Sequence, residues 1–233
     1  MRRFALLAAL AASVFAPFAS AQSVLDAAAL AKLAPAADPQ ALEVAFNAMQ
    51  CAQAHGQGTN ATKLTVIDYS KPSLEPRMWV FDLAQQKLLF EEVVAHGKNS
   101  GANMTTSFSN VDGSLQTSLG LFLTRETYQG GNGYSLRLDG LDKGLNDRAM
   151  ARAIVIHGAP YVDPVAGAKQ GRLGRSFGCP AVRQSVATPL IDAIKGGNFV
   201  FSYYPGDALA ARMVADCPAV KAGGVSTVAT AAP

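Results

Sequence analysis

The chain has 233 residues, a net charge of +3 and an apolar share of 49%, enough for one well-buried domain with a small extension. The basic residues are dispersed along the chain, which disfavours a nucleic-acid-binding surface and predicts no nucleic acid among the partners. Arg172, Arg175 and Arg183 form a loose basic group, typical of either a solvated face or a patch that recognises an anion.

The first 21 residues have the pattern of a secretory signal peptide. Arg2 and Arg3 form its positive end, residues 4–18 its apolar core, and residues 19–21 (Ala-Ser-Ala) a cleavage site. A membrane-spanning helix is the alternative, but the apolar run is short and Pro17 interrupts it. We expect an exported protein of the periplasm or cell envelope, without a membrane span in the mature chain.

Residues 22–58 are Ala-rich and predict an N-terminal helical extension. Asp38 can cap a helix and Pro39 suits the first helical turn, so a helix should begin here. Apolar residues then recur at helical spacing from Leu42 to Met49, which predicts a helix that packs on the main domain.

Residues 59–206 predict a mainly β domain, and residues 207–233 a C-terminal helix or flexible tail. Short runs of branched and aromatic residues separated by turn-forming residues predict about seven strands. They cover residues 64–69, 78–83, 87–94, 120–124, 134–138, 153–157 and 198–204. One helix is expected over residues 186–195, ended by two glycines. The pattern predicts an α+β, mainly β fold with a sandwich or barrel-like core and a few helices.

Two long irregular connections are predicted, over residues 97–118 and 164–178. Long loops in compact domains are usually functional or disordered. Because the second leads directly into Cys179, we favour a functional role for it.

Three cysteines in an exported chain form an odd set. The simplest arrangement pairs Cys51 with Cys217 and leaves Cys179 with a free thiol. The alternatives are that all three are reduced or that Cys179 joins a bridge.

A nucleophilic site is indicated by His157 and Cys179, which lie 22 residues apart. His157 ends a buried-type strand, where a side chain can point into a cleft. Gly178 permits unusual dihedral angles beside the cysteine, and neighbouring amides can donate to an oxyanion. The thiolate is the reactive form, so a nearby histidine or positive charge is needed near neutral pH. The alternative is a small buried cysteine and a hydrogen-bonded histidine without a chemical role.

Other kinds of site have little support. The three histidines are far apart, no Cys-x-x-Cys or His-x-x-x-His pair occurs, and no Gly-x-Ser-x-Gly is present. The glycines at 130–133 predict a tight hairpin turn and not a phosphate loop. We therefore expect no cofactor and no metal.

The motifs at residues 157–161 (HGAPY) and 174–179 (GRSFGC) resemble the catalytic signature of the YkuD-type L,D-transpeptidases. The likeness extends upstream through residues 96–101 and 134–136, spans about 64–205, and is similar to the murein L,D-transpeptidase catalytic-domain branch. The resemblance implies a mixed, mainly β fold with a cysteine nucleophile, and an enzyme of cell-wall biogenesis that is sensitive to carbapenems.

Carried over by position, Cys179 is the nucleophile, His157 the base, and Ser176 and Gly178 the small-residue frame. Three departures are visible, one of which is a slightly longer gap between His157 and Ser176 than the better-known members have. Phe177 stands where the family has a second histidine, and Pro180 replaces an aliphatic residue. His96 could supply the second imidazole or be an ordinary turn residue.

The resemblance implies peptidoglycan stem peptides as partners, a tetrapeptide donor and an acceptor amine. Candidate substrate-binding residues are Tyr161, Arg172, Arg175, His96 and Phe177. Acyl transfer to an amine would form cross-links between stems. The alternatives are an L,D-carboxypeptidase, in which water resolves the thioester, and a non-catalytic peptidoglycan-binding envelope protein. A secreted cysteine protease is less well supported, because no His and Asn pair follows Cys179.

Overall fold

The computed structural model describes residues 26–206. The predicted signal peptide, the tail from residue 207 and Cys217 lie outside these residues. The four described helices are α1 (Ala27–Leu33), α2 (Pro39–Ala54), α3 (Pro164–Gln170) and α4 (Gln184–Ile194). The eight described strands are β1 (Lys63–Asp68), β2 (Met78–Asp82), β3 (Lys87–Glu92), β4 (Gly120–Gly130), β5 (Gly133–Gly140), β6 (Val155–Ala159), β7 (Ala181–Arg183) and β8 (Phe199–Tyr203).

All eight strands belong to one sheet in the order β3-β2-β1-β8-β4-β5-β6-β7. The pairs β1–β8 and β6–β7 are parallel, and the remaining neighbours are antiparallel. Parallel neighbours need a long crossover connection. Between β6 and β7 that connection contains α3 and the predicted catalytic segment.

The two edges of the sheet meet and nearly close it into a barrel. The segment after β3 forms isolated β-bridges with the segment around the start of β7. Ala95 lies opposite Ala181, and Gly97 lies opposite Ser176. The Ala95 amide donates to the Ala181 carbonyl at 2.8 Å, and the Ser176 amide donates to the His96 carbonyl at 2.9 Å. The candidate nucleophile therefore lies at the seam where the sheet closes.

Helices cover both faces of the sheet, so its central strands are apolar on both sides. Helix α2 packs through Phe46 and Met49 against one face, which includes Phe201. Helix α4 packs through Leu190 against the other face, which includes Val200. Two adjacent residues of β8 thus enter opposite cores, which explains why this strand shows no alternation of polar and apolar residues.

The mainly β fold with a nearly closed sheet and a few helices confirms the predicted fold class. Helix α2 begins at Pro39, and Asp38 accepts a hydrogen bond from the Gln40 amide at 2.9 Å, as expected of a cap. The glycine-rich turn is a hairpin, with Gly130 opposite Gly133. The boundaries at residues 58 and 206 between extension, domain and tail stay a prediction.

The fold prediction was wrong in two places: β7 was not among the predicted strands, and part of the predicted connection at 164–178 is helical. Residues 164–170 form α3 and not an irregular loop, because Asp163 caps the helix by accepting from the Val165 amide at 2.8 Å. Gly171 ends the helix in the left-handed conformation, with φ of +74°. Only residues 171–178 of the predicted connection are irregular.

The helices within residues 26–206 are each too short or too polar to cross a lipid bilayer.

Candidate active site

The parallel pairing of β6 and β7 brings His157 and Cys179 to the same region. His157 is the third residue of β6 and lies opposite Ala181, the first residue of β7. Cys179 comes two residues before Ala181, so it faces the beginning of β6. The structure therefore places Cys179 beside the beginning of β6, which lies two residues before His157 on the same strand.

A short hydrogen-bonded turn holds Cys179. The Ser176 hydroxyl accepts from the Gly178 amide at 3.1 Å and donates to the Cys179 carbonyl at 2.6 Å. Gly178 has a φ of +126°, and a Cβ atom there would lie 2.8 Å from the Gln116 carbonyl oxygen. Both the dihedral angle and the close approach require glycine. Because Ser176 already binds the Gly178 amide, the Cys179 amide is the better candidate donor for an oxyanion.

The Cys179 thiol lies against the beginning of β6. Its Sγ donates to the Ala153 carbonyl at 3.7 Å, and the Val155 amide donates to the sulfur. Burial raises the pKa of the Cys179 thiol, while the Val155 amide and the Arg152 charge partly oppose this rise. The thiol is therefore protonated at neutral pH in this arrangement, and its proton points at a backbone carbonyl and not at the imidazole.

The thiol of Cys179 is free, and Cys51 is disulfide-bonded. The predicted partner Cys217 lies outside the described residues, so the Cys51–Cys217 pairing stays a prediction.

His157 is oriented by its own backbone. The ring is buried, and Nδ1 lies 3.0 Å from the Gly158 carbonyl oxygen. A carbonyl only accepts, so Nδ1 carries the hydrogen and Nε2 keeps the lone pair that a base needs. Burial lowers the pKa of His157, so the imidazole is neutral near neutral pH. The residue has the protonation state required of a general base.

His96 lies inside the fold and not in a cleft. It is 1% exposed, its Nδ1 accepts from Arg77 at 2.8 Å, and its Nε2 lies 3.4 Å from the Gly101 carbonyl oxygen. Burial and then the Arg77 charge lower the pKa of His96 to about 4. This geometry speaks against the predicted substrate contact and against His96 as a replacement for the second histidine. Its place is structural, beside the seam of the sheet.

The three arginines of the loose basic group bind protein atoms. Arg183 forms a paired salt bridge with Glu92, at 2.8 and 2.6 Å. Arg175 donates from one nitrogen to the carbonyls of Lys98 and Gly101, at 2.9 and 2.7 Å. Arg172 donates to the Leu173 carbonyl at 2.9 Å. The bonds of Arg172 and Arg175 order the segment before Cys179, and the salt bridge of Arg183 ties β7 to the end of β3. Each arginine therefore has a structural role in addition to any contact with an anion.

Two aromatic side chains flank the cysteine on the surface. Phe177 is 69% exposed, and the Lys98 ammonium lies 4.7 Å from its ring centroid. Tyr161 is 37% exposed, and burial, followed by the nearby Cys179 sulfur, raises its pKa to about 12. Such rings offer apolar contact area beside the nucleophile.

The sequence prediction missed two residues beside the thiol, Arg152 and Tyr69. Arg152 precedes β6 and is half-buried, and Tyr69 follows β1 and is fully buried. Burial raises the pKa of Cys179, and the Arg152 charge opposes this rise. Burial also raises the pKa of Tyr69, and the charge of Cys179 adds to that rise. Neither stands in a recognisable motif. Their only signal in the sequence is a position next to a predicted strand end.

Within residues 26–206 no three His, Cys, Asp or Glu side chains gather in a way that could hold a metal ion.

Solved structures similar to this chain come from several bacteria. An L,D-transpeptidase from Mycobacterium smegmatis is 15% identical, with 62% of this chain and 59% of that one aligned and a TM-score of 0.39. The helical cell shape determining protein Pgp2 of Campylobacter jejuni is 14% identical, with coverages of 63% and 48% and a TM-score of 0.42. L,D-transpeptidase 1 of Mycobacterium tuberculosis is 13% identical, with coverages of 61% and 62% and a TM-score of 0.35. The chain thus spans less than two thirds of each of these proteins.

A comparison with curated proteins finds no significant match. The family comparison is decisive, since a family described as the L,D-transpeptidase catalytic domain matches residues 33–203. That range covers most of the chain, including α2, the whole sheet and the segment around Cys179. The chain therefore belongs to the YkuD-type family of L,D-transpeptidase catalytic domains.

Proposed function

We propose that this protein is a peptidoglycan L,D-transpeptidase that joins stem peptides through a thioester on Cys179. The observation that carries the proposal is the parallel β6–β7 pairing, which brings a free thiol to the strand that carries a neutral, oriented imidazole. Family membership supplies the reaction class. The expected place of action is the cell envelope, where peptidoglycan is found.

The first step is acylation of the cysteine. The thiol gives up its hydrogen bond to the Ala153 carbonyl and turns towards the imidazole, which takes its proton at Nε2. The sulfur attacks the carbonyl between the third stem residue and the terminal D-alanine. The amide C–N bond breaks, His157 returns the proton to the leaving amine, and D-alanine departs. The product is a thioester between Cys179 and the shortened stem.

The second step transfers the acyl group to an acceptor. An amine of a neighbouring stem attacks the thioester carbonyl and gives a proton to the imidazole. The C–S bond breaks, an amide forms between the two stems, and the sulfur regains its proton. In both steps the negative charge that develops on the carbonyl oxygen is stabilised by the Cys179 amide.

The surface around Cys179 suits a peptide with apolar and anionic groups. Phe177 and Tyr161 provide partly exposed rings near the cysteine, and we assign them to contacts with the donor stem. The remaining guanidinium nitrogens of Arg172 and Arg175 are candidates for a stem carboxylate. A stem carboxylate held by these arginines would increase the affinity for the donor stem without taking part in the reaction.

The direct test is incubation of the purified protein with tetrapeptide muropeptides and mass analysis of the products. Cross-linked dimers together with D-alanine support transpeptidation, whereas tripeptides alone support the carboxypeptidase alternative. Cys179→Ala and His157→Ala should abolish both products. His55→Ala, which removes an exposed histidine just after α2, is the matched control and should react like the wild type. An inert wild-type protein would favour the non-catalytic binding alternative.

A further inference from the structure

Arg152 makes an unusually complete set of contacts with one loop. We call residues 109–118 the serine loop. One guanidinium nitrogen donates to the Ser109 carbonyl at 2.7 Å and to the Ser118 hydroxyl. The other donates to the Gln116 carbonyl at 2.8 Å and to the Ser114 hydroxyl at 3.2 Å. A half-buried cation with four neutral oxygen acceptors therefore holds this loop, and within residues 26–206 it makes no salt bridge.

The serine loop forms the wall behind the nucleophile. The Gln116 carbonyl held by Arg152 is the same oxygen that approaches Gly178, where a Cβ atom would lie 2.8 Å from it. That Cβ position is also 3.5 Å from a guanidinium nitrogen of Arg152. The cation is therefore packed directly against the residue before Cys179, and one side chain sets both the loop and the local charge.

The other titratable groups near the sulfur are neutral. Tyr69 from the end of β1 and Tyr161 after β6 have pKa values raised by burial, and the pKa of His157 on β6 is lowered by burial. Arg152 itself faces Asp112 of the serine loop and Arg148 of its own turn. Among residues 26–206, Arg152 is the cation whose charge acts on the Cys179 thiol and lowers its pKa.

We propose that Arg152 is the positioning residue of the nucleophile: it fixes the serine loop behind Gly178 and favours the thiolate of Cys179. The proposal rests on the proposed function only in taking Cys179 as the reacting sulfur. Arg152 does not touch the substrate in this account, and it acts through the sulfur and the loop. Its four acceptors suit the planar guanidinium better than a lysine ammonium, which has three donors and no planar fork.

The experiment measures how fast iodoacetamide alkylates Cys179 as a function of pH. In this reaction the thiolate forms a bond to carbon and displaces iodide, so the rate follows the thiolate fraction. The full chain is used without reductant, and mass analysis counts only alkylation of the peptide that contains Cys179. We expect Arg152→Gln to slow the reaction at pH 7 about tenfold, which is a shift of about one pH unit. Arg152→Lys, which keeps the charge, should lose less than about threefold.

The matched control is Arg148→Gln, which removes a cation from an exposed position of the same turn. Its alkylation rate should equal that of the wild type within the error of the measurement. The proposal would be overturned if folded Arg152→Gln showed the same alkylation rate as the wild type at every pH. An equal loss of alkylation rate in Arg148→Gln would also overturn it.

A second variant keeps the proposal testable if Arg152→Gln does not fold. Ser118→Ala removes one acceptor of the guanidinium and leaves the charge in place, so we expect an alkylation rate lower by about twofold. A wild-type rate in folded Ser118→Ala would then contradict the proposal. Alkylation does not depend on transpeptidation. Failure of the muropeptide assay with a normal Arg152 effect would refute the proposed function alone.

Discussion

The guanidinium of Arg77 donates to Nδ1 of His96 at 2.8 Å, and both side chains are fully buried. Two further bonds from the same guanidinium reach the Val94 carbonyl, at 3.0 and 2.7 Å, and one reaches the Lys71 carbonyl at 2.9 Å. Burial and then the Arg77 charge keep His96 neutral. The pair holds the segment after β3, whose His96 carbonyl accepts from the Ser176 amide.

The first prediction concerns pH and stability. The pKa of His96 is about 4 in the folded protein and 6.5 when exposed, so the unfolded chain binds more protons between these values. The contribution of His96 to the free energy of unfolding is therefore complete above pH 6.5 and is lost as the pH falls towards 4. The size of this loss is about 3 kcal/mol, from roughly 1.4 kcal/mol per pKa unit.

The measurement is urea unfolding of wild type and His96→Gln at pH 7 and pH 4.5. His96→Gln should be less stable at pH 7 and should show a smaller loss on acidification. Equal losses in the two proteins would contradict the assigned state of His96. His55→Gln, at an exposed position, is the control for removal of a histidine.

The second prediction concerns Gly178→Ala. The φ of +126° and the 2.8 Å approach to the Gln116 oxygen should together cost about 2–3 kcal/mol of folding free energy and displace the nucleophile. We expect product formation to fall at least tenfold, with a lower midpoint in denaturant unfolding.

The matched control is Gly113→Ala in the serine loop. Gly113 also has a positive φ, of +70°, but no atom lies within 4 Å of the added Cβ. It should lose only about 1 kcal/mol and keep its activity. Similar behaviour of the two variants would show that strain alone, and not the contact with Gln116, explains the requirement.

The third prediction concerns the pH dependence of the reaction. Burial lowers the pKa of His157 and raises the pKa of Cys179, so both groups are neutral before reaction. As the pH falls, kcat/KM should decline only when His157 becomes protonated, which is below its ordinary value of 6.5. A rate profile with an acidic limb centred above pH 6.5 would be inconsistent with a buried neutral imidazole.

The fourth prediction concerns Phe177→Ala. The ring is 69% exposed, so its removal should change the free energy of unfolding by less than about 0.5 kcal/mol. If the ring contacts the donor stem, KM should rise about threefold or more, while kcat changes little. Val165→Ala on α3 removes a side chain that is 71% exposed and should leave KM unchanged. An unaltered KM in Phe177→Ala would remove Phe177 from the substrate-binding surface.

Local features of the sequence predicted much of the fold. Asp38 before Pro39 located the start of α2, and runs of branched and aromatic residues located most strands. The same Asp-Pro pair at 163–164 begins α3, but the glycines at 167 and 171 suggested a loop. Strand β7 was missed because three residues are too few to show a pattern.

The site was predictable only where a residue stands in a motif. The relation between His157 and Cys179 followed from a strand end and a Gly-Cys pair. Arg152 binds residues that lie 34 to 43 positions away, and Arg77 binds His96 across 19 positions. Such contacts join segments that are distant in sequence, which no local pattern reports. His96 lies beside the seam of the sheet, so its burial and its predicted role in binding could not be judged from the sequence.

The acyl-enzyme can be observed by intact mass analysis of the protein after brief reaction with a tetrapeptide donor and an acid quench. We expect an added mass equal to the donor less D-alanine, located on the peptide that contains Cys179. We also expect no addition in Cys179→Ala and a much slower addition in His157→Ala. An adduct on another residue, or one that forms equally fast without the imidazole, would contradict the claim that His157 activates the thiol of Cys179.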